Sequence, residues 1–497
     1  MYFEAGEADA SAVNGDSSMS MKYQAAYGGG DFNTEEYNYI SENGYKTTVK
    51  EPLSTFSVDV DTASYSNLRR YINSGQQIPA DAVRIEEMLN YFSYDYPEPE
   101  NGDPFSVTTE YSDCPWNEDN RLLLIGLQAK EIDFSRRPPS NLVFLLDISG
   151  SMYSDDKLPL VQKSFTMLAE NLTQKDRVSI VTYAGYESVV LDGVSGDQTA
   201  RIAAALDDLE AGGSTAGAAG IEKAYELARK NYISGGNNRV ILATDGDLNV
   251  GISSEGELTR LIQEKKKDGV HLSVIGVGTG NLKDNKMEAL ADNGDGNYNY
   301  IDSIFEAKKV LVDEMGGTLV TVAKDVKIQV EFNPRYVSGY RLIGYENRLL
   351  NQEDFNDDKV DAGEIGSGHC VTALYEIIPA QSEGTSDSQL KYQAPADVSD
   401  STELLTVSLR YKAPNGNKST LLTYPVESGS YTRELSENLS FAAAVAEFGM
   451  VLRNSEYKGN ATYDTVLALA EPCIHAHTDD YKKEFLQLAE KAKQLYD

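Results

Sequence analysis

Five oxygen-bearing side chains stand where apolar runs of this sequence end or where a helical period begins. Leu142 to Leu146 runs straight into Asp147-Ile148-Ser149-Gly150-Ser151. An aspartate and two serines at alternate positions can turn their oxygens into one small space, and Gly150 permits a tight turn there. A second stretch, Gly212-Gly213-Ser214-Thr215-Ala216-Gly217, offers a hydroxyl just ahead of a helical period. A third apolar run, Val240 to Ala243, ends in Thr244-Asp245-Gly246-Asp247. Carboxylates and hydroxyls are hard ligands, suited to Mg²⁺, Mn²⁺ or Ca²⁺ rather than zinc. Each stretch has a bland reading. An Asp at a strand end often only caps the next helix, and Gly-Gly-Ser-Thr is often only a turn. Their joint order and spacing favour one cation site. No Gly-x-x-x-x-Gly-Lys-Ser/Thr is present, which disfavours a P-loop NTPase.

Such loops need a scaffold that brings them to one edge. Across residues 141–318, almost continuously apolar runs (142–146, 178–183, 240–243 and 272–277) alternate with helical periods near 158–171, 216–233, 254–268 and 284–292. Buried strands alternating with helices predict an α/β domain with a doubly wound parallel sheet. Ligands of such sheets bind beyond the carboxyl ends of the strands, where the strand order switches direction.

The flanks read differently. Residues 1–50 are rich in Gly, Ser, Asn, Glu and Tyr, and are expected to form a disordered acidic tether. Residues 51–140 form an N-terminal flank with a strand at 57–61, helices over 62–73 and 81–92 (Asp81 as N-cap), and strands at 105–111 and 121–129. Residues 319–426 alternate as strands, with a polar insert at 380–402, and 427–497 are helical. Each β flank has few strands for a stable sandwich. The flanks are therefore expected to pair, with Arg121–Ala129 and Val326–Val330 in one sheet, as a β-rich domain into which the α/β domain is inserted.

Asp147-x-Ser149-x-Ser151, Thr215 and Asp245 resemble the metal-ion-dependent adhesion site (MIDAS) of von Willebrand factor type A (VWA) domains. The likeness covers about 180 residues and all five positions. Thr55-Phe56-Ser57-Val58-Asp59-Val60-Asp61-Thr62-Ala63-Ser64-Tyr65, Cys114-Pro115-Trp116-Asn117 and Arg341-Leu342-Ile343-Gly344-Tyr345-Glu346-Asn347-Arg348 extend the resemblance. They are similar to a bacterial group in which the VWA domain lies between an N-terminal flank and a C-terminal domain of unknown function. The resemblance implies that Ser149, Ser151 and Thr215 touch Mg²⁺ (or Mn²⁺ or Ca²⁺) through hydroxyls. It implies that Asp147 and Asp245 hold the ion's waters, and that one position stays open for an Asp or Glu of a protein partner. Members of that group are generally exported or lipid-anchored. The implied location is extracytoplasmic or the cell surface, conditional on a removed leader, with the cytoplasm as the alternative.

Composition narrows the classes further. Lys and Arg number 44 against 78 Asp and Glu, a net charge of −34, which repels phosphate backbones and excludes a general nucleic-acid binder. Three cysteines cannot build a disulfide framework. No apolar stretch reaches the roughly 20 residues of a membrane span, and no leader pattern follows Met1.

Weaker candidates keep their bland readings. Asp357, Asp358, Asp361 and Glu364 suggest a Ca²⁺ loop, but a solvated hairpin is favoured. Asp292 to Asn297 reads as a turn before a strand, and Asp59 and Asp61 as a helix start. Cys473, His475 and His477 suggest zinc without a visible fourth ligand. His369 beside Cys370 reads as a packed pair, His271 as part of a buried strand, and Lys265 to Lys267 as a helix end. The expected function is a non-enzymatic, metal-dependent adhesion or scaffold module. The alternatives are an adaptor for an AAA-type ATPase and a metal-assisted hydrolase.

Overall fold

The apolar runs of the central segment become a six-stranded sheet. Its spatial order is Tyr298–Ile301, His271–Val277, Asn237–Thr244, Ser140–Asp147, Arg177–Tyr183 and Glu187–Ser195. The structure is a computed structural model that describes residues 34–100, 102–133, 137–213, 217–246, 255–380, 401–414, 416–475 and 477–497. Five strands of the sheet are parallel, and Glu187–Ser195 runs antiparallel at the edge. Leu142, Phe144 and Leu146 face one side of the sheet with Phe165 and Leu168 of the helix Leu158–Glu170. Val143 and Leu145 face the other side with Ile221 and Tyr225 of the helix Gly217–Lys230. Burial on both faces explains why these strands read as unbroken apolar runs. The chain leaves Ser140–Asp147 toward one side and returns with Asn237–Thr244 on the other, so the switch point lies between Asp147 and Asp245.

The flanks interleave into a two-sheet sandwich. One sheet runs Lys46–Thr47, Val337–Ile343, Cys370–Pro379, Arg121–Ala129 and Phe105–Asp113. The other runs Ile365–Gly366, Thr321–Phe332, Glu403–Lys412 and Ser419–Glu427, with Leu53–Ser57 also paired to Thr321–Phe332. Both sheets thus combine strands from before and after the central domain. The expected pairing of Arg121–Ala129 with Val326–Val330 is wrong: they lie in opposite sheets. Leu123, Ile125 and Leu127 share a core with Ile328 and Val330 across the sandwich. Leu122 and Leu124 point the other way, into a helical layer.

That layer joins the chain's two outer parts. Tyr65, Leu68, Met88 and Phe92 of the N-terminal flank pack with Phe441, Phe448, Phe485 and Leu488 of the C-terminal helices Glu437–Leu452 and Asp480–Tyr496. Phe92 meets Phe441 and Phe485 edge-on, with ring centroids 5.0 and 5.6 Å apart. The helix expected over 81–92 is instead a short turn at Ala80–Ala82 followed by Ile85–Asn90. Arg84 interrupts it with an extended backbone and reaches Asp284 of the central domain at 2.5 Å.

Residues 34–50, expected within the tether, lie against the body. Thr34 N and Glu36 N donate to Gly280 O and Leu282 O at 2.8 and 3.0 Å. Glu35 is held by Arg70, at 2.9 and 3.0 Å. Residues 1–33 and most of the polar insert, 381–400, lie outside the described residues.

Candidate metal centre

Asp147 and Asp245 lie side by side at the switch point, both fully buried, while Ser149 is buried and Ser151 exposed. The cluster therefore grades from carboxylate below to hydroxyl at the rim. Asp147 Oδ1 accepts the backbone N–H of Ser149 at 2.9 Å, which bends the chain after the strand. That bend brings Ser149 Oγ and Ser151 Oγ to 3.1 Å. Adjacent ligands of an octahedral ion with bonds near 2.1 Å stand about 3 Å apart, so the two hydroxyls have the spacing of neighbouring ligands.

The second loop is docked on the first. Gly150 N donates to Gly213 O at 3.1 Å, and Gly212 N donates to Ile148 O at 2.8 Å. Thr215, two residues beyond Gly213, lies outside the described residues, as does Asp247. At the third loop Gly246 has a φ of 96°, and a Cβ there would sit 2.5 Å from Lys283 N. Only glycine lets the loop after Asp245 pass so close to the neighbouring turn.

Burial pushes the Asp147 carboxyl up to about 6, against the hydrogen bonds from Ser149 and Thr244. Thr244 Oγ1 and the Tyr183 hydroxyl reach Asp147 Oδ2 at 3.1 and 3.3 Å. Asp245 moves the other way. Burial would raise it, but Asn281, Lys157 and Ser151 outweigh that and hold it below the usual carboxylate range. Lys157 Nζ lies 3.0 Å from Asp245 Oδ2 and 3.1 Å from Asn281 Oδ1. Lys157, Asn281, Thr244 and Tyr183 were not picked out from the sequence. Thr244 stands directly beside Asp245, which is a usable signal. Lys157 falls in the polar run Ser154 to Lys157 and carries none. The donor set fits a hard divalent ion held by Ser149 and Ser151, with Asp147 and Asp245 behind them. Lys157 supplies a positive charge that such an ion must tolerate.

Residues 141–314 match the family described as von Willebrand factor type A domain, and residues 31–124 match one described as von Willebrand factor. Residues 317–495 match the family described as Uncharacterized protein YfbK, C-terminal. The Uncharacterized protein YfbK of Escherichia coli (strain K12) is 43% identical over 474 residues, which cover 93% of this chain and 82% of that protein. The chain belongs to the YfbK family of VWA-domain proteins. A second relative, Uncharacterized protein sll0103 of Synechocystis sp. (strain ATCC 27184 / PCC 6803 / Kazusa), is 30% identical over 190 residues, or 38% of this chain and 43% of that protein. Among solved structures, the von Willebrand factor type A from Catenulispora acidiphila is similar with a TM-score of 0.45 and 14% identity, over 79% of this chain and 91% of that one. VWA domains typically mediate protein–protein interaction or adhesion and often bind a divalent ion at the MIDAS.

Elsewhere in this YfbK-family chain the weaker candidates take structural partners. Asp59 and Asp61 do not start the helix, which begins at Ala63 after Thr62. They bind the Arg348 guanidinium at 3.2 and 3.0 Å. Cys370 Sγ donates to Gln128 Oε1 at 2.8 Å, and burial pushes its thiol up. Cys473 is buried, whereas His475 is exposed and meets Glu437 at 3.2 Å. Asp358 accepts from Ser419 Oγ at 2.5 Å, and Asp361 pairs with Lys266 at 2.7 Å. Burial and the Asp295 charge push Glu364 up to about 8, and burial with Arg239 holds His271 down at about 4.

Proposed function

We propose that this chain is a non-catalytic, metal-ion-dependent binding protein that engages an Asp or Glu side chain of a protein partner at the VWA rim. The observation that carries the reading is the graded cluster itself: an exposed Ser151 hydroxyl 3.1 Å from the buried Ser149 hydroxyl, above two carboxylates with no exposure. Neutral hydroxyls leave most of the ion's charge uncompensated, so an incoming carboxylate gains strongly. Mg²⁺ suits the role because it keeps several waters that a partner can replace. The bound ion would supply Lewis-acid charge at the rim, and the chain's own residues orient its ligands.

The protein's net charge of −34 would repel an acidic partner at long range. At physiological salt the Debye length is about 8 Å, so distant carboxylates are screened while the ion at contact is not. The reading includes an extracytoplasmic or cell-surface location, which the resemblance to that bacterial group implies.

The test is calorimetric titration of Mg²⁺ and Mn²⁺ into the wild type and Ser149→Ala/Ser151→Ala, followed by pull-down with and without chelator. Metal binding lost in the variant, with circular dichroism unchanged, supports the site. A partner released by chelator supports adhesion. Unchanged metal affinity in the variant overturns the assignment, and a partner that stays bound in excess chelator places recognition elsewhere. Recovery of an ATPase would favour an adaptor, and turnover of a model ester would favour a hydrolase.

A further inference from the structure

A second group of ligand-bearing side chains lies on the seam between the VWA domain and the sandwich. His271 opens the strand His271–Val277. Asp295 sits in the turn after the helix Asp284–Asn293, with a left-handed backbone at φ 50°. Glu364 precedes the sandwich strand Ile365–Gly366. One imidazole nitrogen and one carboxylate oxygen from each acid lie within 4.8 Å of one another. His271 Nδ1 is 4.0 Å from Asp295 Oδ2. That nitrogen is buried and has no hydrogen-bond partner, an uncommon state for a buried polar atom. Asp295 and Glu364 also line a cavity of about 260 Å³ together with Asp292 and Asp361, so water can reach the group.

We propose that His271, Asp295 and Glu364 form a second divalent-cation site, of zinc type, that clamps the VWA domain to the sandwich. One imidazole and two carboxylates with a water in the fourth position is a zinc donor set, unlike the all-oxygen set at the rim. With bonds of about 2.0–2.2 Å, tetrahedral ligands stand roughly 3.4 Å apart. The three atoms must therefore close by somewhat more than 1 Å at their widest, within the reach of side-chain rotation. Cations are already close. Lys266 holds Asp295 Oδ1 at 2.7 Å, and Arg239 and Lys324 act on Glu364. Lys412 pairs with Asp325 at 2.6 Å, and burial with the Asp295 charge pushes Glu364 up to about 8, so the ion enters by displacing the Glu364 proton and by taking the place of Lys266 on Asp295. Because the ligands come from both domains, ion binding draws the seam together and protects it from opening.

The experiment uses the full chain in millimolar Mg²⁺, added to fill the hydroxyl site of the proposed function before the second ion is introduced. Zn²⁺ is titrated by calorimetry, and Co²⁺ is followed by its visible absorption. The expected result is one equivalent of either ion per chain and a rise in unfolding temperature with Zn²⁺. His271→Ala and Glu364→Gln should each abolish the Zn²⁺ and Co²⁺ signals and leave Mg²⁺ binding unchanged. Glu364→Gln keeps the side-chain shape, so it serves if His271→Ala fails to fold. No Zn²⁺ binding by the wild type overturns the proposal, as does equal binding by the wild type and both variants. Zn²⁺ binding that survives both variants but is lost in His475→Ala overturns it in favour of the C-terminal helices.

Discussion

Arg348→Met is expected to destabilise the protein by about 3–5 kcal/mol. Its guanidinium joins three parts of the chain: Nε lies 3.2 Å from Asp59, and the terminal nitrogens lie 3.0 Å from Asp61 and 2.8 Å from Asp292. The Asp59 and Asp61 side chains are only 1% and 4% exposed, while Asp292 is 36% exposed. Removing one partner of a buried ion pair leaves an uncompensated charge, which costs about 3–5 kcal/mol. The wetter Asp292 contact adds little to that. Typical total stabilities are about 5–15 kcal/mol, so the denaturant midpoint at pH 7.5 should fall steeply. Arg348→Lys should lose less, because the ammonium keeps a charge beside the buried carboxylates, but not nothing, because it cannot span all three. The sign with pH is fixed by Asp61, whose carboxyl is raised by burial and by the Asp59 charge, against the pull of Arg348. A raised folded-state carboxyl adds stability at low pH and loses it as pH rises. Without Arg348 that rise grows, so the penalty should shrink between pH 7.5 and pH 5. A midpoint shift worth less than about 1 kcal/mol, at unchanged denaturant slope, would refute a clamp at Arg348.

Three further outcomes follow from the same geometry. Lys157→Met removes the ammonium 3.0 Å from Asp245 and should tighten Mg²⁺ at least tenfold, about 1.4 kcal/mol, by calorimetry; weaker binding would mean that Lys157 builds the site rather than opposing the ion. Glu447 is fully buried, one of its oxygens has no hydrogen-bond partner, and burial pushes its carboxyl up to about 7. The folded state keeps that proton up to about pH 7 while the unfolded chain releases it near 4.5, so this group's contribution should fall by about 3 kcal/mol between those values. Glu447→Gln should match the wild type near pH 5 and exceed it at pH 8 in urea midpoint; identical pH profiles would sink the assignment. Residues 141–318 alone should unfold cooperatively, whereas 320–426 alone should not, since its strands lack Arg121–Ala129 and Leu53–Ser57; a cooperative thermal transition from the second fragment would contradict the interleaved sandwich.

The parallel strands were legible because both faces are buried, so their apolar runs have no interruptions to misplace. The edge strand Glu187–Ser195 escaped notice because half its residues face water and its run is broken by Glu187, Ser188 and Asp192. Arg121–Ala129 was bounded correctly. Alternation tells which residues point inward but not which strand lies alongside, so its neighbour was misassigned. Arg84 broke a helix that local periodicity favoured, because its charge is satisfied 200 residues away on Asp284. At the rim, Asp147, Ser149, Ser151 and Asp245 were readable from spacing at strand ends. Lys157 was not, because its role comes from folding onto Asp245, 88 positions later.

The interleaving of the sandwich sets an order of assembly. The VWA sheet draws all its strands from one continuous stretch, residues 140–301, so it is complete as soon as that stretch is made. Arg121–Ala129 must wait for Cys370–Pro379, its sheet partner about 250 residues later (Arg121 pairs with Ile377). Phe105–Asp113 covers its other edge early, but at roughly 5–20 residues per second of synthesis the edge of Leu122-Leu123-Leu124-Ile125 that faces Cys370–Pro379 stays open for roughly 10–50 s. An apolar, uncharged stretch of that kind is prone to pair with other chains. Production of this protein should therefore be limited by the late closure of the sandwich, with a folded VWA domain carried on an incomplete body, and a chaperone that shields residues 121–129 should raise its yield more than one acting on the central domain.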